Sequence, residues 1–248
     1  MKTIILSAGR GSRLQGLVAD RPKCLVEING RTVLEWQVAA LDAAGVSEIV
    51  VVTGYGAEKV EAAVAAMPAR AGMRLVHNPF FALADNLASC WIARSQMVGD
   101  FSILNGDTIV EPEIARRVLG GEPAAPIAVT IDRKPSYDPD DMKVSLDGDR
   151  LLAVGKTLEP EVVNGESIGF HRFTTEGGRA FVQTIEAVMK AETGLKSWYL
   201  SAIDRIAREE GIVGTRSIEG LEWGELDFPE DLVRNRAVTA GWIERGLF

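Results

Sequence analysis

The sequence predicts an α/β fold: a Rossmann-like, mixed but mostly parallel sheet flanked by helices, with a small antiparallel region appended. Three observations carry this. Short β-branched runs alternate with helical patterns through the first half. A glycine-bearing turn follows the first run directly. The second half changes to closely spaced short runs separated by turn signals.

In chain order, residues 2–7 (KTIILS) and 48–53 (EIVVVT) are short, β-branched runs, as expected of strands buried on both faces. Residues 73–77 and 101–105 read as two more. Helical patterns over 32–44, 57–67 and 86–97 separate them, the first opened by Thr32 with Glu35 three residues on, a capping box. Strands are then predicted at 127–133, 142–147, 150–155 and 167–173, with Asp147-Gly148 as a turn. Helices over 175–191 and 199–210 precede strands near 212–218 and 222–226, and Pro229-Glu230 opens a last helix over 229–243. No repeat, low-complexity tract or linker interrupts the chain. The expectation is a single domain over 1–248, with a nucleotide-binding half (1–125) and an acceptor-binding half (126–248).

Of 248 residues, 27 are Lys or Arg and 35 Asp or Glu, so the net charge is −8. That excludes a basic nucleic-acid-binding face, while a few local cations still suffice for phosphates. Cys24 and Cys90 stand alone, without disulfide or metal spacing. No signal-peptide pattern or membrane-length apolar stretch is present, so the expected location is cytoplasmic, without membrane insertion. The oligomeric state is left open, a homo-oligomer included.

The turn after the first run reads ILSAGRGSRL, with Gly9 and Gly11 beside Arg10 and Arg13. Glycines there let backbone N–H groups approach an anion. Two familiar phosphate loops do not fit. A dinucleotide fingerprint needs a third glycine where Leu14 stands, and a Walker A loop needs Gly-Lys-Ser/Thr. What remains is G-x-G-x-R-L and then, with eight residues between Arg13 and the next landmark, Pro22-Lys23.

The whole string GRGSRLQGLVADRPK resembles the signature of the sugar-phosphate and alcohol-phosphate nucleotidyltransferases, closest in look to the phosphocholine-type CTP cytidylyltransferases. The resemblance implies a nucleotide-diphospho-sugar transferase (GT-A-like) fold. It also implies a loop of Gly9, Arg10 and Gly11, entered through Leu6 and Ala8, wrapped around a nucleoside triphosphate. Arg13 would grip the β- and γ-phosphates and Lys23, fixed by Pro22, the α-phosphate. It further implies two Mg²⁺-binding acids, which fall on Asp107 in FSILNGDTIV and Asp227 in LEWGELDFPEDL. Taken alone, Asp107 also reads as a turn residue and Asp227 as the N-cap of the last helix. Glu225 alternates with Asp227 along a strand and is a supporting polar group on the acceptor side.

The reaction so implied has a phosphate oxygen of the acceptor attack the α-phosphorus, with pyrophosphate leaving. A phosphate monoester is already mostly dianionic at neutral pH, so no general base is needed. Both histidines, His77 and His171, are then expected to be structural. The acceptor phosphate needs a cation: Lys156 after Gly155, with Lys143 as second candidate. The run Asp138, Asp140, Asp141 reads as a solvated loop. Residues 78–95 resemble the base-reading segment of the cytidylyltransferases, with Asp85, Asn86 and Ser89 at the matching places, which points to CTP. Trp198 and Tyr199 fall where relatives carry aromatic residues beside the acceptor, followed here by Leu200-Ser201 rather than an acid. The expected acceptor is a small phosphorylated alcohol such as phosphocholine. A sugar-1-phosphate or inositol phosphate with UTP, GTP or CTP is the alternative. A GT-A glycosyltransferase is disfavoured, since Asp107-Thr108-Ile109 lacks a D-x-D second acid. A non-catalytic nucleotide sensor is disfavoured by the retained aspartates.

Overall fold

The structure, a computed structural model, describes residues 1–14 and 21–248. The part of the signature string at 15–20 lies outside the described residues. The chain forms two compact units that interleave along the sequence. One comprises 1–82, 104–120 and 220–248, the other 83–103 and 121–219.

In the first unit, β1 (Lys2–Ser7), β4 (Glu48–Thr53) and β5 (Gly72–His77) lie in the order β5-β4-β1 and pair in parallel, Lys2 with Glu48 and Glu48 with Gly72. Ile4, Ile5 and Ile49–Val52 have no exposed surface, which is why these strands carry unbroken apolar runs. β6 (Phe101–Asn105) follows β1 in the sheet, and beyond its end the Gly106 N–H donates to the Leu6 carbonyl at 3.1 Å. A two-residue hairpin, β2 (Glu27–Ile28) with β3 (Arg31–Thr32), leads into α1 (Val33–Ala43). The expected capping box is present: the Thr32 hydroxyl accepts from the Glu35 N–H, and the Glu35 carboxylate accepts from the Thr32 N–H. α2 (Ala57–Ala66) completes the first stretch, β7 (Thr108–Val110) and α4 (Pro112–Leu119) lie in the second, and β13 (Trp223–Glu225) and α7 (Pro229–Glu244) in the last. β7, α4 and the β2–β3 hairpin are absent from the sequence reading; strands of two or three residues are too short to show a period, whereas α4 carries Ile114, Ala115, Val118 and Leu119 at helical spacing and was a missed signal.

The first unit's apolar core gathers Leu14, Val26, Ile28, Val33, Trp36, Ile109, Leu226, Leu232 and Trp242. Phe248 closes it, its ring 4.8 Å from that of Trp36. Each of these large side chains contributes ~1.5–3 kcal/mol by leaving water, so the backbone around each is held firmly.

The second unit holds the strand order β11-β8-β12-β10-β9, from β8 (Ile127–Asp132), β9 (Lys143–Asp147), β10 (Arg150–Gly155), β11 (Gly165–Phe173) and β12 (Val213–Ser217). All pairings are antiparallel except β8 with β12. α3 (Asn86–Ala93), α5 (Thr175–Met189) and α6 (Tyr199–Glu209) belong to this unit. Its packing includes the stacked rings of Phe101 and Phe173, 4.7 Å apart. His171 is fully buried, with one ring nitrogen 3.3 Å from the Thr130 N–H and the other 3.3 Å from the Ser167 hydroxyl. Burial pushes its pKa down to about 3, so it stays neutral and structural.

Candidate functional site

The glycine turn leaves β1 past Leu6, through the buried Ser7 and Ala8. Gly11 has φ +71°, a conformation that L side chains rarely adopt, and a Cβ there would sit 3.1 Å from the Cβ of Lys23. Gly9 has open space around it. A 3₁₀ turn over Ser12–Leu14 follows, sealed by the Leu14 N–H donating to the Gly11 carbonyl and by Leu14 itself in the core. The loop thus ends on a buried anchor, and Arg13 immediately before it projects outward, 47% exposed. Its guanidinium donates to Asp227 at 3.2 Å and lies 4.9 Å from the centre of the Phe228 ring. Arg10 stacks on Tyr55 at 5.1 Å.

Pro22, with φ −56° and ψ 144°, turns the chain into a second 3₁₀ turn over Lys23–Leu25. Leu25 and Val26 are buried, which fixes the backbone and aims Lys23 at two carboxylates. Its ammonium lies 2.7 Å from Asp107 and 2.6 Å from Asp227. Burial disfavours the ammonium's charge, but Asp107 and Asp227 outweigh it, and the pKa is raised above the ordinary lysine value.

The two acids, far apart in sequence, meet through a short ladder. β7 pairs antiparallel with β13, Trp223 with Val110 and Glu225 with Thr108, and the Leu226 N–H donates to the Asp107 carbonyl at 3.1 Å. Asp107 leads into β7 and Asp227 follows β13. Gly106 supplies the close approach, since a Cβ there would meet the Ser7 Oγ at 2.6 Å and the Ser7 Cα at 2.8 Å. Leu226 is fully buried, as strand alternation predicts. The Asn235 amide donates to the Glu225 carbonyl at 2.9 Å. Asp227 does not cap α7. The capping position is held by Phe228, and Asp231 in the first turn accepts from the Asp227 and Phe228 N–H groups at 2.8 Å each, so the Asp227 carboxylate is left for cations.

The second unit brings together fewer of its expected residues. Lys156 pairs with Asp140 at 2.7 Å and lies 5.0 Å from the centre of the Trp198 ring, which is 41% exposed. Lys143 does not join them as a free cation: its ammonium donates to the carbonyls of Asp138 at 2.6 Å and Lys156 at 3.0 Å, a brace for the loop. Tyr199 is fully buried and packs edge-on against Phe181. It is the first residue of α6 and turns into the helix core, so its ring offers no open face. Asn86 accepts the Tyr199 N–H at 2.9 Å, and the Asp85 N–H donates to the Leu195 carbonyl at 2.7 Å. Ser89 is buried on α3. The 138–141 run is more than a solvated loop, since Asp141 accepts from Lys134 and from the Asp138 N–H while Asp140 holds Lys156.

Sequence reasoning missed Tyr55, Phe228, Asp231 and Asp140. The i+4 spacing of Asp231 from Asp227, at a proline-opened helix start, was a legible capping signal. The partners of Arg10, Arg13 and Lys156 were not, because nothing local marks them.

Among the described residues no group of three or more His, Cys, Asp or Glu side chains gathers as a metal cluster, and no helix is long and apolar enough to cross a membrane. The fold is that of the nucleotide-diphospho-sugar transferases. The inositol-1-phosphate CTP transferase from T. maritima has the same fold, with a TM-score of 0.80, 20% identity and 93% and 90% of the two chains covered. The chain belongs to the MobA-like NTP transferase domain family, whose model matches residues 3–202. It is 28% identical over 240 residues to CMP-5'-(3-aminopropyl)phosphonate synthase of Streptomyces rubellomurinus, covering 93% of this chain and 37% of the relative. It is 31% identical over 103 residues to the choline-phosphate cytidylyltransferase of Streptococcus pneumoniae, covering 42% of this chain and 43% of the relative. The chain thus spans less than half the length of these two curated relatives in the alignments.

Proposed function

We propose that the protein is a Mg²⁺-dependent nucleotidyltransferase that joins CTP to a small phosphorylated alcohol such as phosphocholine and releases pyrophosphate. The observation that carries this is the convergence of Lys23, Asp107 and Asp227 on one point, with Arg13 on the same aspartate. Two carboxylates presenting hard oxygens to one cation fit the donor set of Mg²⁺, which takes one or two carboxylates together with substrate phosphates. When bound, the ion neutralises charge on the triphosphate. Gly9–Gly11 give backbone donors to the phosphates, and Arg13 binds the leaving pyrophosphate. Lys23 stabilises charge at the α-phosphate, and catalysis is positioning plus neutralisation.

In the second unit, Lys156 is the cation for the acceptor phosphate, and Asp140 with the part-exposed ring of Trp198, both now engaged by Lys156, suits a cationic head group once the phosphate draws that lysine away. The acid that Leu200-Ser201 lacks is thereby supplied from elsewhere in the fold. Relatives named for choline phosphate and an aminopropyl phosphonate support such an acceptor, and those named for a cytidylyl product support CTP. The test is pyrophosphate release across a matrix of nucleoside triphosphates and phospho-acceptors. Turnover is expected with CTP and an amino-alcohol phosphate. Turnover confined to sugar-1-phosphates or inositol phosphate refutes the acceptor assignment, and none with any pair refutes the enzyme.

A further inference from the structure

Lys23 has two assignments that compete. Its ammonium satisfies Asp107 and Asp227 together, at 2.7 and 2.6 Å, from a side chain only 13% exposed. Arg13 shares Asp227 at 3.2 Å, so two cations and two acids balance locally. A divalent ion that takes both carboxylates must displace the ammonium, which is costly for a buried charge without a new anion to accept it. The position of Lys23 beside the glycine turn, its Cβ in the space a side chain at Gly11 would need, puts that new anion within the phosphate loop.

We infer that Lys23 is an internal counter-cation that couples the metal to the nucleotide: a divalent ion enters between Asp107 and Asp227 only as the α-phosphate draws Lys23 away. The inference rests on the proposed metal and phosphate roles and adds a binding order to them. The two acids hold a free divalent ion weakly, and the nucleotide supplies the charge that lets the ion stay. By reciprocity the ion strengthens nucleotide binding by the same factor.

Mn²⁺ binding without nucleotide, followed by electron paramagnetic resonance, reads this directly. Lys23→Met keeps the stem and removes the charge, and Lys23→Gln serves if the methionine variant does not fold by circular dichroism. Either is expected to bind Mn²⁺ at least about fivefold more tightly than the wild type, and adding Asp227→Asn to the variant is expected to abolish the gain. Equal Mn²⁺ affinity in wild type and variant overturns the coupling while leaving the metal site standing. A gain that survives Asp227→Asn places the ion elsewhere, and overturns the metal site and the coupling together.

Discussion

The first unit assembles its cluster from four separate places in the chain, and each functional residue sits within three positions of a buried apolar anchor. Arg13 precedes Leu14, Lys23 precedes Leu25 and Val26, Asp107 precedes Ile109, and Asp227 follows Leu226. The second unit also carries several candidate residues, yet among them only Lys156 and Trp198 present a cation beside a part-exposed ring, with Asp140 paired to Lys156. Lys143, Asn86 and Tyr199 have spent their polar groups or their surface on internal structure. A cluster whose side chains are aimed by a common core is therefore a stronger statement about chemistry than residues matched by type alone.

The comparison breaks most visibly at its strong end. Asp107→Ala and Lys23→Ala are each expected to lower the rate of pyrophosphate release by about a hundredfold or more with the fold retained. Near-normal turnover in either variant would place that residue outside the chemistry. Gly106→Ala tests the packing behind the acids. Its Cβ would meet Ser7 at under 3 Å, so a loss of about 2 kcal/mol in denaturant unfolding is expected, and unchanged stability would contradict the close approach.

At the weaker site, Lys156→Ala is expected to raise the acceptor's KM about tenfold with the nucleotide's KM unmoved. Lys143→Ala should leave both near normal and lower stability only. A reversed pattern would make Lys143 the phosphate ligand.

The smallest effect concerns Glu166, on β11 beside Lys134. Its pKa is raised to about 7 because burial disfavours the carboxylate more than the nearby Lys134 ammonium favours it. The folded protein holds this proton more tightly than the unfolded chain does. The group's contribution is therefore complete below the ordinary carboxylate range and is lost as pH rises through about 7. Glu166→Gln should flatten that slope and gain about 1 kcal/mol at pH 8; an unchanged pH profile of stability would refute the assignment.

The sheet strands of four to nine residues were legible because burial on both faces writes unbroken or alternating apolar runs. The capping box was legible because Thr32 and Glu35 lie three residues apart, and the glycine turn and Lys23 because they share one short motif, although the partners of Lys23 lie 84 and 204 residues away. β13 was legible as a strand near 222–226, but its three-residue partner β7 was not, and so neither was the ladder that brings Asp107 to Asp227. Nor was the brace formed by Lys143, because a lysine destined for backbone carbonyls looks the same in sequence as one destined for phosphate.

The central claim is that Asp107 and Asp227 jointly hold the ion that the reaction needs. Pyrophosphate release from CTP, titrated with Mg²⁺ in the wild type and in Asp227→Asn, tests it most directly. The account predicts that the variant needs at least about tenfold more Mg²⁺ for half-maximal rate. An unchanged Mg²⁺ requirement would contradict it.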